Sequence, residues 1–131
     1  MQRILVVGAT GDQGHPLLLR LIAAGMTPVA ALRNPRALAG TEFEAVETVA
    51  ADLYDPQSMI AAASGMDGIA VHLPFVFDRD LARQMGENIA AAGKANGVGR
   101  IVFHTSCHVE DHDIGDPAHD GRRAIEAAIA A

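Results

Sequence analysis

The sequence is short of several things, and each shortage removes a class of explanation. It has a single cysteine, Cys107, so no internal disulfide can form and a reducing, cytoplasmic setting is expected. No apolar run approaches the roughly 20 residues that a bilayer-spanning helix needs. Met1-Gln2-Arg3 leads straight into a strand-like stretch, which leaves no room for a signal peptide. No membrane association is expected. Positive charge is scarce: 10 Lys and Arg against 16 Asp and Glu give a formal net charge of -6. That balance disfavours a surface built to neutralise phosphates, so no nucleic-acid partner is expected. Tyr54 and Lys94 are the only residues of their types, which restricts any catalysis that needs either.

What remains is enough for a packed fold. Half of the 131 residues are hydrophobic and only 20% are charged, which argues against global disorder. The length suits one domain, residues 1–131, with an ordinary core. No internal repeat, low-complexity tract or linker divides it.

The chain is organised around Arg3-Ile4-Leu5-Val6-Val7-Gly8-Ala9-Thr10-Gly11-Asp12-Gln13-Gly14. The apolar run with β-branched residues reads as a buried strand. It breaks into Gly8, Gly11 and Gly14, and a helical apolar pattern starts at Pro16-Leu17-Leu18-Leu19. Strand, glycine turn and helix in that order are the setting of a dinucleotide-binding loop. Glycine permits the tight turn, lets the backbone approach a pyrophosphate, and lets helix and strand pack closely. Backbone N–H groups at the helix start would then face the phosphates, aided by the helix dipole. The spacing is G-x-x-G-x-x-G rather than the commoner G-x-G-x-x-G. In a chain with 13 glycines the spacing alone would carry little, and the flanking elements carry the reading. Cofactor contacts are expected from Gly8, Thr10, Gly11, Asp12, Gln13 and Gly14, with the Asp12 carboxylate turned away from the phosphates it would repel.

Beyond the loop, the pattern predicts a helix over 16–24, ended by Gly25, and a strand over 28–32. Arg33-Asn34-Pro35 makes a turn, since Pro35 biases Asn34 away from helix. A short helix over 36–39 and a strand over 46–51 follow. Asp55 caps a helix that starts at Pro56 and runs to about Ser64. A strand is predicted over 68–73, and a long helix over 78–95. In that helix Leu81, Met85, Ile89 and Ala92 line one face, while Gly86 and Gly93 threaten its continuity. A strand over 100–104, a polar loop over 106–117 and a helix over 118–131 complete the chain. Alternating strands and helices imply an α/β fold: a doubly wound, parallel, five-stranded Rossmann-type sheet of order 3-2-1-4-5. The glycine loop sits at its switch point. The fifth strand is then a sheet edge, which predicts self-association into a homo-oligomer.

With these landmarks the sequence resembles the NmrA-like, atypical short-chain dehydrogenase/reductases. The likeness is carried by the Gly8–Gly14 loop, Arg33-Asn34-Pro35, Asp52-Leu53 and Arg122-Arg123-Ala124-Ile125-Glu126. It implies an NAD(P)-binding Rossmann fold and, through the quinone and other enone-type reductases of the family, hydride transfer to a small-molecule quinone or related carbonyl substrate. Some members of the family are instead non-catalytic dinucleotide sensors that regulate a partner protein. That alternative stays open, as does a truncated domain without turnover. Members usually continue for as long again, with further strands and a region that closes the substrate pocket, and this sequence has no counterpart to that region.

Arg33 stands where NAD-specific folds tend to place an acidic residue for the ribose 2′-OH. A guanidinium there suits bidentate pairing with a 2′-phosphate, so NADP(H) is favoured over NAD(H). The other reading is a surface arginine at a strand end. Asp52 and Leu53 resemble the family's adenine contacts, acceptor and apolar cover, although Asp52 also reads as a turn residue. His72 and Leu73 lie at the end of the fourth strand, beside the nicotinamide region, and Thr105 follows the fifth. Phe75 and Phe77 would wall a flat substrate or simply cover core. Catalysis centres on Ser106 and His119. Short-chain dehydrogenases of the main type carry a Ser after the fifth strand and a Tyr-x-x-x-Lys on the next helix. Ser106 resembles that Ser, but no Tyr follows. His119, with Arg123 four residues on, stands in its place as a general acid near neutral pH, or as an exposed residue at a helix start. The spacing of His104, Cys107, His108, His112 and His119 matches no strong zinc signature, and no metal is expected.

Overall fold

The computed structural model describes residues 2–11, 13–106 and 108–131. Met1, Asp12 and Cys107 lie outside them. The elements run β1 (Arg3–Val7), α1 (Gly14–Ala23), β2 (Thr27–Leu32), β3 (Glu47–Ala50), α2 (Pro56–Ala62), β4 (Gly68–His72), α3 (Arg79–Asn96), β5 (Arg100–His104) and α4 (Pro117–Ala130). The strands form one five-stranded sheet of order β3-β2-β1-β4-β5, as the alternation predicts. All its pairings are parallel, with Leu5 opposite Val29 on one side and Ile69 on the other.

Side chains alternate across a strand, and both faces of this sheet are apolar. Leu5, Val7, Val29, Ala31, Ile69 and Val71 join one core with Met59 of α2, Met85 and Ile89 of α3, and Ile125 of α4. Val6, Ala30 and Leu32 face the opposite way, onto Leu18 of α1 and onto Leu38 and Phe43. The connection from β2 to β3 holds no helix: residues 36–39 form successive turns, with Ala37 N–H bonded to Asn34 O and Ala39 N–H to Arg36 O. The expected short helix is corrected on this point. Four residues before Gly40 cannot repay the cost of helix nucleation, and Leu38 anchors the segment by burial instead.

Three helices begin at aspartate. Asp55 accepts from Gln57 N–H, Asp78 from Asp80 and Leu81 N–H, and Asp116 from Ala118 N–H. Each satisfies amide groups that a first helical turn leaves open. Asp78 is thus the cap of α3 rather than its first residue, and Pro117 opens α4 one residue earlier than its periodicity suggests.

The glycines within α3 do not break it, because each marks a close approach. A Cβ on Gly86 would stand 2.8 Å from Ala128 Cβ and 2.9 Å from Ile125 O, so α4 rests directly on the α3 backbone. A Cβ on Gly93 would stand 2.8 Å from Ile101 Cδ1 of β5. The helix loses propensity at these positions and gains contact with α4 at Gly86 and with β5 at Gly93. Gly86→Ala is expected to destabilise the fold by about 1–3 kcal/mol through overpacking, less the ~1 kcal/mol that alanine returns in helix propensity. Urea unfolding of the two proteins measures the difference.

Candidate dinucleotide site

The carboxyl ends of β1, β2 and β4 surround a cleft of about 230 Å³. The glycine loop supplies Gly8 and Thr10, the end of β2 supplies Arg33, and the segment after β3 supplies Asp52 and Leu53. Leu73 and Pro74 close it beyond β4, while Met59 and Met85 rise from α2 and α3. This is the topological switch point of an open α/β sheet, where such folds bind ligands. The structure therefore brings Gly8, Thr10, Arg33, Asp52, Leu53 and Leu73 together. The sequence reading missed Tyr54, Met59 and Met85 in this wall. The signal for them is only that α2 and α3 turn their amino-terminal halves toward the strand ends.

The three glycines serve different ends. Gly8 has φ +85°, and a Cβ there would collide with the carbonyl oxygen of His72. A Cβ on Gly14 would collide with the backbone of Gly8 and Ala9. Both are demanded by the fold itself. Gly11 differs: a Cβ there would lie 3.5 Å from Gly8 O and 3.9 Å from His72 Nδ1, which is ordinary contact. A methyl group would fit here, so packing does not require glycine at this position. The expectation that the first helical amides face phosphate is modified, since Gly14 and His15 N–H both donate to Gly11 O. Asp12 lies outside the described residues, and with it the expected direction of its carboxylate.

Around the wall formed by residues 52–54 the backbone is held by specific bonds. Asp52 Oδ1 accepts from Tyr54 N–H at 2.9 Å, so its carboxylate does act in a turn, although Asp52 also lines the cleft. Ser58 Oγ accepts from Asp52 N–H. Asn88, buried in α3, donates to Leu53 O at 2.7 Å and pins that residue from below. Arg33 is exposed at the rim. Beyond β4, the guanidinium of Arg122, 2% exposed, donates to Leu73 O and sits 4.6 Å from the Phe75 ring centre. A fully buried cation beneath this turn fixes Leu73 and Phe75 through a charged hydrogen bond and a cation–π contact.

The remaining expected residues lie elsewhere. Gln13 and His72 border a hollow of about 270 Å³ on the α1 side of β4 and β5. Thr105 lines a groove between β5 and α4 with Phe103 and Glu126. Ser106 has φ +63°, a strained left-handed conformation for a serine. Its N–H donates to His104 Nδ1 at 3.1 Å, and its Oγ lies 3.1 Å from His72 Nε2. His104, which was read only as one of several imidazoles, is part of this group.

His119 is neither an exposed helix-start residue nor a cleft residue. It is 6% exposed, its Nε2 accepts from Glu110 N–H at 2.9 Å, and its Nδ1 lies 2.9 Å from Asp120 Oδ1. An accepting Nε2 places the ring proton on Nδ1, where it is given to Asp120. Both nitrogens are thus engaged in tying the 108–116 segment to α4, and the proton-donor role expected of His119 has no geometric support. Asp120 also accepts from Ile114 and Gly115 N–H. The bond from His119, followed by that from Ile114, holds its carboxyl below the usual carboxylate range. A lowered folded value stabilises the fold above the ordinary value of 3.8 and loses that effect as pH falls through the folded one.

This cleft, with glycines against the strand ends and a basic residue at the rim, defines a dinucleotide-binding Rossmann domain. The chain belongs to the NAD(P)H-binding family whose model matches residues 8–131. It is 33% identical over 102 residues to an NAD(P)H azoreductase of Xenophilus azovorans, covering 78% of this chain and 35% of that one. It is 32% identical over 127 residues to a (4-alkanoyl-5-oxo-2,5-dihydrofuran-3-yl)methyl phosphate reductase of Streptomyces griseus, covering 96% of this chain and 42% of the other. The chain thus spans less than half the length of these curated relatives. Among solved structures, the triphenylmethane reductase of Citrobacter sp. complexed with NADP(H) superposes with a TM-score of 0.77 at 24% identity, over 98% of this chain and 45% of that one. A Rossmann-fold NAD(P)-binding family protein of Shigella flexneri gives 0.72 at 23%, over 98% and 63%. No helix among the described residues is long and apolar enough to cross a membrane.

Two outcomes follow from this geometry. Gly11→Ala is expected to melt within a few degrees of wild type yet weaken dinucleotide binding at least about tenfold, or ~1.4 kcal/mol. Gly14→Ala is expected not to fold, and calorimetry of both with NADPH separates the cases. Asp120→Asn is expected to melt below wild type at neutral pH, with the gap narrowing as pH falls below 3.8. Melting curves from pH 7 to pH 3 (on the order of one curve per half unit) test the sign.

Proposed function

We propose that this chain binds NADP(H) in preference to NAD(H) and serves in the two-electron reduction of a quinone or related carbonyl compound. The observation that carries the reading is the cleft at the switch point, which Gly8, Thr10, Asp52 and Leu53 line and where Arg33 stands at the rim. Gly8, Thr10, Gly11 and Gln13 would hold the pyrophosphate, with Asp52, Leu53 and Tyr54 around the adenine. Arg33 would pair with the 2′-phosphate. His72, Leu73, Thr105 and Ser106 would flank the nicotinamide, which supplies the hydride when bound. Reductases among the relatives support the reaction class. A dinucleotide sensor is the second reading, favoured by one observation: both nitrogens of His119 are spent on structure.

Paired titrations with NADPH and NADH test the cofactor, and NADPH oxidation against a panel of quinones tests the reaction. Arg33→Ala is expected to raise the Kd for NADPH about tenfold or more while leaving that for NADH within about twofold. Equal weakening of both would remove the 2′-phosphate assignment. Tight binding without turnover on any quinone would favour the sensor.

A further inference from the structure

Both ring nitrogens of His119 are engaged in the scaffold. A different group of polar side chains sits at the carboxyl ends of β4 and β5. His72 and His104 are opposite each other in the parallel register, and their rings meet edge to face at 5.6 Å. Ser106 lies between them, with Oγ 3.1 Å from His72 Nε2 and 3.4 Å from His104 Nδ1.

The tautomers order this group. His104 Nδ1 accepts the Ser106 N–H, so it carries no proton and cannot donate to Oγ. Of the two imidazoles, only His72 can place an N–H on that oxygen. An N–H from His72 would fill one of the two lone pairs of Oγ and leave the Ser106 hydroxyl proton to turn between His104 Nδ1, 3.4 Å away, and an outside acceptor. The left-handed backbone at Ser106 is what lets its amide reach one ring while its hydroxyl reaches the other. Ser106 is exposed and His72 is half-buried, so the hydroxyl is the end of the pair that a substrate can touch.

We propose that Ser106 Oγ delivers the proton to the substrate oxygen and that His72 is the positioning residue that resupplies Oγ through Nε2. The inference rests on the reductase reading above. When bound, a reduced nicotinamide would supply hydride to the carbonyl carbon, and the C=O π pair would move to oxygen. That oxygen takes the Ser106 proton, Oγ takes the Nε2 proton of His72, and solvent reprotonates His72. The substrate gains two electrons and two hydrogens, and the cofactor is oxidised by two electrons. Among the described residues, the other charged or titratable groups bordering the same hollow are Arg20 of α1 and His104 of β5.

The test uses the full chain and has two readouts. In the cofactor-free protein, ring-nitrogen NMR is expected to show Ser106→Ala moving the titration midpoint of His72 by about half a pH unit or more, with His108 unmoved. With NADPH and a naphthoquinone, Ser106→Ala and His72→Phe are each expected to lower kcat about tenfold to a hundredfold with KM within about threefold. His72→Gln keeps a donor N–H but cannot release a proton, and is expected to flatten the pH dependence of kcat. His108→Asn is expected to behave as wild type. Turnover by wild type that survives Ser106→Ala or His72→Phe overturns the proposal alone, as does an unmoved His72 resonance. NADPH binding without any wild-type turnover overturns the reductase reading and the proton role with it.

Discussion

The close approach of Gly8 to the carbonyl oxygen of His72 is the constraint on which the rest of the site depends. It leaves no room for a side chain at the end of β1, and Gly14 in turn seats α1 against Gly8 and Ala9. The turn between strand and helix is therefore set by backbone meeting backbone, which tolerates almost no displacement. Two cavities open on either side of this contact. One lies toward α2 and α3 and is lined by Arg33, Asp52 and Leu53, and the other lies between α1 and the ends of β4 and β5.

A second layer of interactions holds the cleft from beneath. Asn88 reaches Leu53 O, and Arg122 reaches Leu73 O, so two segments that line the cleft are each tied to a helix behind them. The Arg122 cation is costly to bury, and the rings of Phe75 and Phe103 on which it lies offset part of that cost. His119 and Asp120 then bind the polar 108–116 segment to the start of α4, helped by Arg79 and Arg123 on Asp113. Residues that look reactive in the sequence thus divide by burial. Those within α4 hold the scaffold, and those at the strand ends, His72, His104 and Ser106, are half-buried or exposed.

Much of the fold was legible because its determinants are local. Runs such as Ile4–Val7 and Ile101–Phe103 mark strands, and Asp-Pro at 55–56 marks a helix start. The strand order follows from alternation and from the fixed hand of crossovers. The short helix expected over 36–39 was misjudged for the opposite reason, since the anchoring of Leu38 in the second core decides that segment. Gly86 and Gly93 looked like weaknesses in α3, and only their neighbours Ala128 and Ile101 explain them.

The sequence by itself determined the class of fold and the position of the glycine turn between β1 and α1, because turn chemistry and hydrophobic period act over a few residues. Tertiary structure alone decided which side chains meet. Ser106 and His72 are 34 residues apart, Asn88 and Leu53 are 35 apart, and Arg122 and Leu73 are 49 apart. No spacing rule links such pairs. They are brought together by strand register and by the glycines that let helices close on the sheet, and it is that closure which gives one histidine a place in the scaffold and another a place beside Ser106.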